Sequence, residues 1–286
     1  HIGPGEHADF EEYLYYKTRL LNMCRIGLVN KDDEHAEQII KAADCELYTY
    51  SEKGKEADFS ASDIRYVSQP DFVGTEFHIS GKYDMEVRLG IPGLFNVVNA
   101  LAAVSVCSFL DLDKEKISHA LEHIRVNGRM EIVYTSERCT VLVDYAHNAV
   151  SMESLLSTLR DYKPKRLVCV FGCGGNRSKD RRYSMGEIGG KLADLSIITA
   201  DNSRYEKVED IIADIRGSIE KTGGSFIEIP DRREAIRYSI LQAQPGDMVA
   251  VIGKGHEDYQ EINGVRHHFL DREVIEETVK ELGEKA

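Results

Sequence analysis

The sequence predicts an α/β fold in two domains. Three observations point there: a length of 286 residues, more than one core comfortably fills; a looser first part with exposed, strand-like runs; and a second part in which near-continuous apolar runs alternate with helix-like segments. Strands apolar on both faces and separated by helices signal a mostly parallel sheet covered on both sides. The pattern changes around Val126-Asn127-Gly128, so the domains are placed at 1–126 and 127–286.

In the first domain a helix is expected over 11–21 and a strand over 25–30. Asp32 and Asp33 introduce a helix to Ala42, and a strand follows over 47–50. Runs at 64–68, 76–79 and 85–89 read as exposed, more antiparallel strands with polar turns between them. Two helices, 96–109 and 114–123, close the domain. In the second, strands are expected at 139–143, 166–171, 195–199, 225–229 and 247–252, with helices at 150–161, 183–193, 207–220, 231–243 and 272–283. Ligands of parallel sheets gather at the carboxyl ends of the strands. The unusual polar segments fall there: 144–148, 172–179, 201–204 and 253–260.

Composition narrows the function classes. With 42% hydrophobic and 30% charged residues the chain has the balance of a soluble globular protein. A net charge of −13 argues against a non-specific nucleic-acid binder. No apolar run approaches the roughly 20 residues of a membrane helix, and no signal peptide is present, so a cytoplasmic protein without a membrane partner is expected. The cysteines at 24, 45, 107, 139, 169 and 173 show neither zinc-site nor disulfide-framework spacing. Opening on His1-Ile2-Gly3-Pro4 without Met, the chain is expected to be part of a longer one.

Residues 172–182, GCGGNRSKDRR, put three glycines within four residues after an apolar strand, then Arg177, Lys179, Arg181 and Arg182. Glycines let backbone N–H groups approach an anion, and the cations complement its charge. Arg177 occupies the third glycine position of a dinucleotide fingerprint, so that reading fails, and a plain basic loop is the alternative. Asp201-Asn202-Ser203-Arg204 offers an acid, an amide and a guanidinium to a zwitterion, although turn chemistry alone favours Asp-Asn-Ser. Gly253 and Gly255 permit a tight strand exit before His256, Glu257 and Asp258; ligand recognition ranks above an acid–base site of Lys254, His256 and Glu257. Asp144 ends a strand, where an acid can bond a ribose or simply make a turn. Asn96 and Asn99 share a helix face and can read an adenine edge; Asn96 can equally be an N-cap. Lys17, taken alone, is a solvated lysine.

These segments, together with HADFEEYLYYKTRLL, VNKDD, GLFNVVNALAA, NGRMEIV, MGEI and FLDREV, resemble the Mur ligases, in particular their MurE-type branch, over essentially the whole chain. The resemblance implies the remainder of a P-loop-type central ATPase domain over 1–126 and a C-terminal Rossmann-like domain over 127–286. It implies that Lys17 is the lysine that family members carbamylate to help hold magnesium, with His1 as a metal ligand. Asn96 and Asn99 would contact adenine, Arg129 the ATP phosphates and Asp144 the ribose. Arg177, Asp201, Asn202, Arg204, Gly253 and Glu257 would bind the incoming diamino acid. The Arg of DN-x-R favours meso-diaminopimelate over L-lysine; Ser203 and Asp180 depart from the Pro and Gly common at those positions.

The implied reaction is ATP-dependent amide formation on UDP-MurNAc-L-Ala-D-Glu through an acyl phosphate, with ATP and Mg2+ as cofactors and a monomeric enzyme. No G-x-x-x-x-G-K-[ST] occurs, so the P-loop and an N-terminal domain are expected upstream, and this chain alone is expected not to ligate. The alternatives are an L-lysine-adding or folylpolyglutamate-type ligase and a non-catalytic Rossmann-like binding module.

Overall fold

The structure, a computed structural model, describes residues 7–110 and 112–283. The chain divides into two units: His1–Arg65, Thr75–Leu89 and Leu94–Ile124 form one, and Tyr66–Gly74, Gly90–Gly93 and Arg125–Ala286 the other.

The first unit contains α1 (Phe10–Thr18), β1 (Ile26–Asn30), α2 (Ala36–Ala42), β2 (Glu46–Ser51), β3 (Phe59–Gln69), β4 (Phe72–Gly81), β5 (Met85–Leu89), α3 (Leu94–Cys107) and α4 (Lys114–His123), the tips of β3 and β4 being counted with the second unit. Its sheet runs β1-β2-β3-β4-β5, with β1, β2 and β3 parallel and β4 antiparallel to β5. Phe77, Ile79, Val87 and Leu89 face inward at period two and pack with Val97, Leu101 and Val104 of α3 and Ile117 and Leu121 of α4. Asp9 starts α1 by accepting from the Glu12 N–H at 2.8 Å, while Glu12 accepts from the Ala8 N–H at 2.6 Å. The helix expected from Asp32 starts only at Ala36. Asp32 is used elsewhere, accepting from the Ser51 hydroxyl at 2.7 Å and the Glu52 N–H at 2.8 Å.

The second unit continues with β6 (Glu131–Thr135), β7 (Cys139–Asp144), α5 (Ala149–Asp161), β8 (Arg166–Phe171), α6 (Lys179–Leu192), β9 (Leu195–Ile198), α7 (Val208–Thr222), β10 (Phe226–Glu228), α8 (Arg232–Leu241), β11 (Asp247–Ile252), β12 (Tyr259–Ile262), β13 (Val265–His268) and α9 (Asp271–Glu281). Its six-stranded sheet has the order β10-β9-β8-β11-β7-β6, parallel except for the edge strand β6. Alternation explains the continuous apolar runs. Leu167, Cys169 and Phe171 face the layer of α5, α6 and α7, whereas Val168 and Val170 face α8 and α9. Because β11 inserts between β7 and β8, the loop after it lies between the loops that follow those two strands.

In this unit three features depart from expectation. The edge strand β6 and the β12–β13 hairpin were not anticipated, and α6 begins at Lys179 rather than 183, capped by Ser178, whose hydroxyl accepts from the Asp180 N–H. The hairpin turns at Asn263-Gly264, both at positive φ, the signature of a two-residue turn.

Candidate functional site

Parallel strands bring their carboxyl ends to one edge. There the loops after β7, β8, β9 and β11 enclose a cavity of about 320 Å³, lined by Tyr145 and His147, by 172–174, Arg177 and Arg181, by Asp201, Asn202 and Arg204, and by Gly253 and Glu257. All six residues expected to bind a diamino acid line this hollow. Close backbone approach makes it possible: a Cβ on Gly175 would lie 1.9 Å from the Ser203 carbonyl oxygen, and one on Gly128 would lie 2.2 Å from the His256 nitrogen.

The cavity wall carries charges of both signs. Glu257 accepts from the Asn202 side-chain amide at 3.0 Å and from the Tyr145 hydroxyl at 3.4 Å. The Arg204 guanidinium donates to the Gly175 carbonyl at 2.6 Å and sits 3.6 Å from Glu261, which fixes its plane. Its backbone is left-handed, with φ at 51°, and is bracketed by the hairpin: the Arg204 N–H donates to Glu261 O at 2.9 Å and Asn263 N–H donates to Arg204 O at 2.6 Å. The hairpin missed in the sequence therefore supports Arg204.

Helical geometry sorts the four cations of the basic segment, which had read as one anion-complementing group. Lys179 and Arg182, three residues apart in α6, turn together onto Asp214, at 3.1 and 3.0 Å; Arg182 also pairs with Glu206 at 2.8 Å and is buried. They hold α6 to α7. Arg177 and Arg181 have no ion-pair or hydrogen-bond partner for their guanidinium groups among the described residues, and both line the cavity. Tyr145 and His147 were not singled out, and Arg181 was read only as one of four cations; the helical period of 179–182 was the available signal that separates it from Arg182. Cys173 also lines the cavity, but burial pushes its thiol up to about 12, which keeps it neutral and a poor nucleophile.

The residues expected to bind ATP lie in both units. Asn96 and Asn99 are adjacent on α3, Asn99 donating to Asn96 Oδ1 at 3.4 Å. Since α3 begins at Leu94, Asn96 lies inside the helix and is not its N-cap. Arg129 is exposed and stacks over the Tyr145 ring at 4.8 Å. The ribose expectation for Asp144 meets a buried carboxylate with both oxygens engaged. It accepts from the Met130 N–H at 2.8 Å and the Ala146 N–H at 2.7 Å; burial outweighs these bonds and Arg129 and raises its pKa. Asp144 thus fixes the turn that carries Arg129.

For magnesium the described residues do not make up a site: no three His, Cys, Asp or Glu side chains cluster among them. Lys17 is exposed in the last turn of α1, its ammonium 5.5 Å from the Tyr13 ring centre, and His1 lies outside the described residues. Among the described residues no helix is long and apolar enough to cross a membrane.

Comparison with known proteins agrees with this architecture. The Mur ligase middle domain matches residues 1–107, and the Mur ligase glutamate ligase domain matches residues 128–255. UDP-N-acetylmuramoyl-L-alanyl-D-glutamate–2,6-diaminopimelate ligase of Caldanaerobacter subterraneus subsp. tengcongensis is 37% identical over 281 residues, covering 96% of this chain and 56% of the relative. Ligase 2 of that name in Clostridium acetobutylicum is 40% identical over 273 residues, covering 95% and 56%. A solved structure of a ligase of that name superimposes with a TM-score of 0.78 at 34% identity, covering all of this chain and 59% of the other. UDP-N-acetylmuramate-alanine ligase of Thermotoga maritima, at 18% identity and a TM-score of 0.64 over 98% of this chain and 57% of its own, shares the fold. The chain spans a little over half the length of the curated relatives it matches. With two of that family's domains in sequence order and this structural match, the chain belongs to the Mur ligase family.

Proposed function

We propose that this chain is the nucleotide- and amino-acid-handling part of an ATP-dependent amide ligase that joins meso-diaminopimelate to UDP-MurNAc-L-Ala-D-Glu in peptidoglycan synthesis. The observation that carries this is the mixed charge of the cavity wall: Arg177, Arg181 and Arg204 share with Asp201 and Glu257 the lining of a space of about 320 Å³. Such a wall suits a small molecule with both carboxylates and ammonium groups. The 2,6-diaminopimelate ligases among its relatives support the choice of diamino acid.

In this role ATP phosphorylates the D-glutamyl side-chain carboxylate and leaves as ADP. The free amine of the diamino acid attacks the acyl carbon, the C–N bond forms, and phosphate departs with the electrons of the C–O bond while the nitrogen loses a proton. Arg177 clamps one carboxylate in two parallel bonds, and Arg204, Asn202, Asp201, Gly253 and Glu257 hold the far end of the molecule. Asn96 and Asn99 read the adenine edge and Arg129 meets the phosphates, with Asp144 holding its turn in place beside the ribose. ATP and Mg2+ are the cofactors. Lys17, exposed in α1, would carry the carbamate and, with His1, would help hold the magnesium that offsets charge on the phosphates. The enzyme works in the cytoplasm as a monomer, with neither nucleic acid nor membrane as partner.

Calorimetric titration with meso-diaminopimelate and L-lysine tests the assignment. Diaminopimelate should bind more tightly, and Arg204→Ala should weaken it by about 2–5 kcal/mol, the cost of leaving a desolvated charge unpaired, with little effect on lysine. An unchanged affinity in Arg204→Ala would refute the specificity.

A further inference from the structure

Lys254 is fully buried, at 0% exposure, and is not part of the cavity wall. A buried ammonium is tolerated only when oxygens surround it. Here they are the Tyr259 carbonyl, Asn202 Oδ1 at 3.3 Å, Glu257 Oε2 at 3.4 Å and Asp201 Oδ1 at 3.9 Å. Three of these four partners belong to residues that do line the cavity. The cation thus stands directly behind Asp201, Asn202 and Glu257.

That position sets the direction of two side chains. Asn202 Oδ1 accepts from Lys254 and from the Glu261 N–H at 2.9 Å, which leaves the amide nitrogen to point the other way, where it donates to Glu257 Oε2 at 3.0 Å. Glu257 Oε2 is then occupied by two donors, while Oε1 meets, among the described residues, only the Tyr145 hydroxyl at 3.4 Å. Oε1 retains acceptor capacity, and an ammonium is the donor that suits it. An amine held there is protonated and has no lone pair for attack on an acyl phosphate. It is therefore the amine that does not react.

We propose that Lys254 is a positioning residue that orients Asn202 and Glu257 so that Glu257 Oε1 selects the non-reacting ammonium of the diamino acid. This rests on the cavity being the diamino-acid pocket.

The test uses a pair of ligands on this chain: meso-diaminopimelate, and L-2-aminopimelate, which keeps both carboxylates and the reacting amine but lacks the second amine. Calorimetry on the unaltered chain should show diaminopimelate favoured by about tenfold or more, the contribution of one charge-assisted hydrogen bond. Lys254→Met and Lys254→Gln, the latter keeping a hydrogen-bonding group, should each reduce that ratio to within about twofold of one, as should Glu257→Gln. Lys254→Met combined with Glu257→Gln should reduce it no further. A merely structural lysine would weaken both ligands alike and leave the ratio standing, which would overturn the proposal. Unfolding of both Lys254 variants, read from the near-ultraviolet circular dichroism, would overturn it too, by making Lys254 a residue of the fold. Failure of the unaltered chain to bind either ligand would instead refute the reading of the pocket, so the two ideas fail separately.

Discussion

Two arginine-centred regions of the second unit show how one chemical group takes opposite roles. Arg232, at the start of α8, is wholly buried against Asp271, the first residue of α9, by two bonds of 2.7 Å; it also donates to the Ile252 carbonyl at 2.9 Å and the Ala200 carbonyl at 3.2 Å. Its donors are nearly used up on the ends of two strands and one helix. Arg177 and Arg181, at the cavity, have guanidinium groups without such partners among the described residues. A guanidinium with its donors filled from within holds the fold together; one left open by its neighbours is available to a ligand.

The sharpest way to break this contrast is Arg232→Met. Removing one member of a buried pair strands the other charge, and a loss of about 3–5 kcal/mol in urea unfolding is expected. A loss under about 1 kcal/mol would show that the filled arginine is not an anchor. Next in size comes Arg177→Ala, which should leave stability within about 0.5 kcal/mol and weaken meso-diaminopimelate by about 1.5–3 kcal/mol. The reverse pattern, lost stability with intact binding, would put Arg177 in the same class as Arg232.

Arg182 offers the smallest and most discriminating effect, because it belongs to the basic segment yet is paired. Its hydrogen bond, together with the Asn176 N–H, lowers the Glu206 pKa; at Asp214 burial pushes upward, but Lys179 and Arg182 prevail and the net direction is also downward. Folded carboxylates with lowered pKa values add stability that is complete above their unfolded values, near about 4, and is lost as pH falls through the folded ones. Urea unfolding followed against pH should therefore show an acid decline below about pH 4 that Arg182→Gln makes shallower. An identical decline in the variant would separate Arg182 from these carboxylates.

Much of this was legible in the sequence, for identifiable reasons. The strands 166–171 and 247–252 are apolar on both faces, so their burial in a parallel sheet follows from composition alone, and their observed bounds coincide with expectation. The four polar segments followed from those strands, since a parallel sheet delivers its strand ends to one edge. The hairpin over 259–268 escaped because Val265–His268 is exposed along its length and carries no burial pattern, although Asn263-Gly264 marked its turn. Starting α2 at Asp32 failed for a different reason: a capping-type residue was claimed by a distant strand end, a contact that local reading does not contain.

By itself, the sequence determined the alternation of strands and helices, the edge at which polar loops gather and the residue types available there. Those depend on local periodicity and composition. Only the tertiary structure decided which cations are spent, which remain open, and that Lys254 stands behind Asn202 and Glu257. Pairings such as Lys254 with Asn202 and Arg182 with Asp214 join residues dozens of positions apart, so they exist only once the sheet order has been set.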